Sequence, residues 1–154
     1  MKRIFALGLL VIFVAGGCAT QMVKENANAS CAKQGKKAFI FDAKQSGIPL
    51  FIESASASYL CVGPDDVTHL PAIFGADVVS ASNFHGAGIF SVTPGSGADK
   101  AGLKPNDIVY EFAGRSIDRA TDLRVAVDSM SSGDQVIIKL RRDGGKDTTV
   151  TARF

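Results

Sequence analysis

The sulfur and imidazole side chains that could act as nucleophiles or metal ligands in this 154-residue chain are Cys18, Cys31, Cys61, His69 and His85. A zinc site wants thiolates and imidazoles at short fixed intervals, and neither histidine stands at such an interval from a cysteine. A serine nucleophile needs a base and an orienting acid, and the sequence has no Gly-Asp-Ser-Gly motif to present one. A glycine-rich phosphate loop and a carboxylate dyad are missing as well. These residues predict no enzyme, no metal and no cofactor, and they leave the cysteines as the informative group.

Cys18 follows a patterned N-terminus. Lys2 and Arg3 supply a positive n-region, Ile4 to Val14 an apolar run of 11 residues, and Ala15-Gly16-Gly17 the small side chains a signal peptidase needs. The junction Val14-Ala15-Gly16-Gly17-Cys18 resembles the lipobox of bacterial lipoproteins, with Ala15 where the pattern prefers Leu. The resemblance implies that residues 1–17 are removed and that the Cys18 thiol carries diacylglycerol, with palmitate-type chains as the membrane anchor. Ala19 after the cysteine, where Asp would favour inner-membrane retention, implies an outer-membrane lipoprotein facing the periplasm. The alternative is a retained membrane helix. The apolar run Ile4 to Ala19 falls short of the roughly 18 residues that a span wants.

Removal of Lys2 and Arg3 takes the basic count from 17 to 15, which equals the 15 acidic side chains. A neutral body with no Lys/Arg-rich run predicts no nucleic-acid partner. With Cys18 lipidated in an oxidising compartment, Cys31 and Cys61 remain as an even pair, and a disulfide is expected. It would close a loop of about 30 residues, worth roughly 3 to 4 kcal/mol in the chain-entropy model.

The elements that must position these residues follow from pattern. Residues 18–35 are small and polar and suit a tether. Within 36–70, Lys37 to Asp42, Ile48 to Glu53 and Ser58 to Val62 are short strand candidates, Pro49 marking the second as an edge. They form a small disulfide-stapled β extension. From Pro71 the strand candidates are Ile73 to Ala81, Gly88 to Thr93 and Asp107 to Phe112. A helical turn Ala98 to Ala101 is stopped by Gly102. Thr121 to Met130 is the long helix, with Leu123, Val127 and Met130 on one face. Val136 to Arg142 and Asp147 to Phe154 form a hairpin across Asp143-Gly144-Gly145. The class is mainly β with α (α+β).

The run from Gly86 to Val109, containing Ser91-Val-Thr-Pro-Gly-Ser-Gly-Ala-Asp-Lys-Ala-Gly-Leu-Lys-Pro-Asn-Asp107, resembles bacterial PDZ domains, especially those of Deg-type (high-temperature-requirement) envelope proteases. Gly114-Arg-Ser-Ile117, the helix with Leu123 and Val127, and Leu140-Arg-Arg-Asp-Gly144 continue it in order, so the resemblance covers 71–154. It implies a PDZ-like, partly open β-barrel or sandwich with one long helix and one short helical turn.

The resemblance also implies a peptide groove, in which loop amides receive a carboxylate and a strand pairs with the ligand beside the long helix. The matching residues are Ala72, Ile73, Phe74, Gly75 and Ala76 on the loop and strand, with Ala72 where the family usually has Gly. Asp122, Ala126 and Ser129 are their counterparts on the helix. The expected partners are C-termini or extended segments of envelope proteins. The alternative is a structural component whose groove is unused or filled from within, Phe39, Ile40, Phe41, Phe51 and Ile52 being the apolar residues offered for that filling.

Overall fold

A computed structural model of the chain describes residues 7–14, 19–48, 52–80, 83–142 and 145–154. The chain divides into two compact units, Met1–Pro64 and Asp65–Phe154, so the boundary falls a few residues before the expected one at 70/71. Among the described residues the fold is mainly β-sheet with few helices and no closed barrel.

In the first unit, β1 (Leu7–Val14), α1 (Ala19–Ala32), β2 (Lys37–Ile48) and β3 (Ile52–Val62) build a sheet of order β1-β3-β2 with one helix packed on it. The stretch expected to be a tether is therefore helical from Ala19 to Ala32. Its Ala, Gln, Met, Lys and Glu residues favour helix, and Val23, Ala27 and Cys31 recur every four residues on one face. All three are buried, in one cluster with Ile40, Ala55, Ala57, Tyr59 and Cys61. Alternation along β3 supplies that partner face, and its two alanines let the helix come close.

Two further expectations change. Ile48–Glu53 is not a strand of its own: Ile48 ends β2, Ile52 begins β3, and the two are opposite each other at the tip of a long hairpin. Residues 49–51 lie outside the described residues. The run Leu7–Val14, expected as the apolar part of an export signal, lies antiparallel along β3, with Leu7 opposite Leu60 and Val14 opposite Glu53. Cys31 and Cys61 form a disulfide that ties the last turn of α1 to β3, their Cα atoms 5.2 Å apart. Among the described residues no helix is long and apolar enough to cross a membrane.

The second unit contains β4 (Thr68–His69), β5 (Ala76–Val79), β6 (Ala87–Val92), α2 (Gly97–Lys100), β7 (Ile108–Phe112), β8 (Arg115–Ser116), α3 (Ala120–Asp128), β9 (Gln135–Arg142) and β10 (Lys146–Arg153). The sheet runs β10-β9-β7-β6-β5-β4, with β8 paired to β7. The buried face of α3 is Leu123 and Val127, as their spacing predicts, and Met130 packs against the same core. Phe74, Phe112 and Phe154 meet there in stacked and edge-to-face pairs 5.6 to 6.2 Å apart. Asp107 is 1% exposed, and the Arg142 guanidinium grips both its oxygens at 2.7 and 2.6 Å while donating to the Gly102 carbonyl. That clamp fixes the turn leading into β7 to strand β9.

Candidate functional site: the outer edge of strand β5 and the strand that lies on it

The expected strand Ile73–Ala81 is shorter, because its first residues turn. The Pro71 carbonyl accepts from the Phe74 and Gly75 amides at 2.9 and 2.8 Å, which folds Ala72 to Phe74 into a turn and delays β5 to Ala76. Gly75 has φ of +67°, and a Cβ there would fall 2.4 Å from the Ser96 Cβ, so this corner admits only glycine. The loop is held from below: the Ile73 carbonyl accepts from the Gly97 amide and the Phe74 carbonyl from the Ala98 amide, at 3.2 and 2.8 Å. Loop and α2 therefore form one rigid corner at the start of β5.

One edge of β5 pairs with β6; the other edge carries β4, not solvent. Thr68 is opposite Val78 and His69 opposite Asp77, and the Leu70 amide donates to the Ala76 carbonyl at 2.9 Å. β4 also packs beside α3. Leu70 is buried in the core cluster that holds Phe74, Leu123, Ala126 and Val127. The groove thus has an occupant, and it is not the apolar run expected. Phe39, Ile40 and Phe41 belong to β2 in the other unit's sheet, Ile52 begins β3, and Phe51 lies outside the described residues.

The residues anticipated for the groove have divided roles. Ala72 and Ile73 are exposed, Ile73 at 53%, so the loop presents an apolar lip. Phe74, Gly75 and Ala76 are buried, Phe74 among the core aromatics. Asp122 does not point a free carboxylate at a ligand: its Oδ2 accepts from the Asp118 and Arg119 amides at 3.1 and 3.0 Å, capping the start of α3. Ala126 is buried at 3% and Ser129 donates its hydroxyl to the Ala126 carbonyl, so the pair belongs to core and helix end. Arg124 and Asp128 form the expected exposed i,i+4 pair at 3.7 Å. Cys18 lies outside the described residues.

Sequence reasoning missed the polar cluster on the outer face of the same strands. His69 Nδ1 lies 2.6 Å from Asp77 Oδ1, and Ser91 Oγ donates to Asp77 Oδ2 at 2.6 Å, across β4, β5 and β6. The three residue types are those of a hydrolytic triad, but the order is wrong. A triad puts the imidazole between serine and acid so that it can take the hydroxyl proton. Here the acid is in the middle and the serine donates to it directly. Burial pushes the Asp77 pKa up, but the Ser91 and His69 hydrogen bonds and the His69 charge outweigh it and hold the carboxyl below its ordinary value. The cluster stabilises a carboxylate and activates nothing. No period of two marks Val67-Thr-His-Leu70, whose apolar residues stand three apart, so the cluster follows only from the assembled sheet.

In the second unit, then, a sheet edge is framed by a loop corner and a helix, and a strand of the chain lies on it antiparallel. Residues 71–152 match the model of the PDZ domain family, and the chain belongs to that family. It is 39% identical over 94 residues to the probable periplasmic serine endoprotease DegP-like of Marinomonas sp. (strain MWYL1), covering 60% of this chain and 19% of that protein. It is 35% identical over 72 residues to the periplasmic pH-dependent serine endoprotease DegQ of Escherichia coli (strain K12), covering 45% of this chain and 16% of that one. The chain thus spans about a fifth or less of the length of these curated relatives. Among solved structures, the HtrA-type protease AlgW with decapeptide matches at 12% identity with a TM-score of 0.46, covering 63% of this chain and 36% of that one.

Proposed function

We propose that this chain is a non-catalytic envelope lipoprotein, cleaved before Cys18 and anchored in the outer membrane by acyl chains on that cysteine, whose PDZ domain binds an extended or C-terminal peptide of a protein partner. One observation carries the binding role: the β5 edge beside α3 takes an antiparallel strand, with Leu70 seated in the core and its amide on the Ala76 carbonyl. Relatives named as periplasmic endoproteases support an envelope location. The small-small-Cys junction supports the lipid anchor. A second reading, a structural component with a self-occupied groove, is favoured by the same strand β4 if it never leaves.

The test is titration of the full chain, in detergent, with a library of peptides bearing either a free carboxylate or a C-terminal amide, followed by amide chemical shifts. Selection of apolar-ended peptides that move the amides of Ala76 to Val79 and of α3 is the expected result. Amidation should cost little, because Phe74 and Gly75 N–H already have the Pro71 carbonyl as acceptor. If no peptide moves those amides at millimolar concentration, the structural reading replaces this one.

A further inference from the structure

Strand β4 has the properties of a bound ligand supplied by the chain itself. It is two residues long, far below the usual strand length of about five or six. It runs antiparallel to β5, so its C-terminal end reaches the loop corner, the end at which a peptide terminus would arrive. Its side chains sort by face: Leu70 is buried, Thr68 is half-buried two residues before it, and His69 points the other way, onto Asp77. Beyond its backbone pairing with β5, its packing beside α3 and the burial of Leu70, β4 is tied to its neighbour by the His69–Asp77 contact, whose side chains are 75% and 34% exposed.

Resting on the peptide-binding role above, we infer that residues 68–70 are an internal competitor for the β5 edge, and that Asp77 selects the incoming peptide by the side chain it places where His69 now lies. The ligand class follows from the imprint. It is an extended segment with an apolar side chain at the Leu70 position and a basic one immediately before it, facing a carboxylate already fixed by Ser91. Asp77 is a positioning and specificity residue: Ser91 donates to its Oδ2, while the contact with His69 is made by Oδ1.

The probes are two fluorescent peptides ending in a free carboxylate, Val-Thr-Lys-Leu and Val-Thr-Glu-Leu, titrated at neutral pH against the full chain and its His69→Ala and Asp77→Lys variants. Wild type should favour the lysine peptide by about threefold, the range of one half-exposed ion pair. Asp77→Lys should reverse the preference. His69→Ala should tighten lysine-peptide binding by a further factor of about three, because the competitor is loosened, and should speed hydrogen exchange of the Leu70 amide without speeding that of the Ile89 amide in the core. Peptides that bind with no charge preference, or a Leu70 amide as protected as that of Ile89 in every variant, would overturn the inference while leaving peptide binding intact. Binding of neither peptide to any variant would instead bring down the peptide-binding role itself.

Discussion

The two units close their sheets by different means. In the first, a helix with only one small apolar stripe, Val23, Ala27 and Cys31, lies on a face made largely of Ala55, Ala57 and Tyr59, and a disulfide completes the seam. In the second, large side chains fill the core, and the only buried charge among the described residues, Asp107, is answered by Arg142. Small side chains bury little area each, at about 25 cal/mol per Å². The helix–sheet seam of the first unit therefore leans on a covalent tie where the core of the second depends on packing and one ion pair.

The sharpest break of that contrast is in the second unit. Arg142→Met removes both of its hydrogen bonds to Asp107, leaving a buried carboxylate that still accepts from the Lys104 amide. Stranding one member of a buried pair costs about 3 to 5 kcal/mol. Denaturation followed by residue-resolved exchange should show the loss in residues 65–154. The double variant Arg142→Met/Asp107→Asn should recover part of it, since the buried charge goes too. A single variant as stable as wild type would mean that solvent reaches Asp107.

The disulfide comes next. Cys31→Ala/Cys61→Ala should cost roughly 3 to 4 kcal/mol by the chain-entropy estimate for a loop of this length, and the loss should fall on α1 and β3. Thiol counting under non-reducing conditions checks the premise, since two alkylatable cysteines in fresh protein would remove it. Cleavage before Cys18 would also take away β1, leaving β3 paired with β2 alone. On that processed chain the disulfide should matter more than on the uncleaved one.

The same contrast explains what could be read from sequence. From Gly86 onward each turn carries its own chemistry: a Cβ at Gly86 would strike the Val109 carbonyl at 2.5 Å, and Asn106 takes a positive φ of 74° before β7. Such signals are local, so the strand segments along the chain and the face of α3 followed from them. The spacing that makes α1 a helix was equally present at Val23, Ala27 and Cys31, but a polar average over 18–35 hid it. Strand β4 had no local signature to find. Two residues become a strand only because an edge of β5 and the flank of α3 are there to receive them, and that is a property of the assembled fold. Family position places Asp122 and Ala126 on the expected helix, but what each side chain does in this chain is set by capping and core packing, which the family position does not encode.

The smallest expected effect lies where β4 meets β5, and it is set by pH. Asp77 is pushed up by burial but brought lower overall by the hydrogen bonds from Ser91 and His69 and by the His69 charge, so its folded pKa lies below the unfolded carboxylate value of about 3.9. A carboxylate depressed on folding stabilises fully above its unfolded pKa, and the contribution is lost as pH falls through the folded value. The stability difference between wild type and Asp77→Asn should therefore be present at about pH 5 to 6 and shrink below about pH 4. Its size should stay under about 1 kcal/mol, because the pair is partly exposed and screened. Urea midpoints measured from pH 3 to pH 7 for both proteins would show it, with exchange at the Leu70 amide reporting whether the loss is local to β4. A difference as large at pH 3 as at pH 6 would mean that the Asp77 charge contributes nothing and that packing alone holds β4 on its edge.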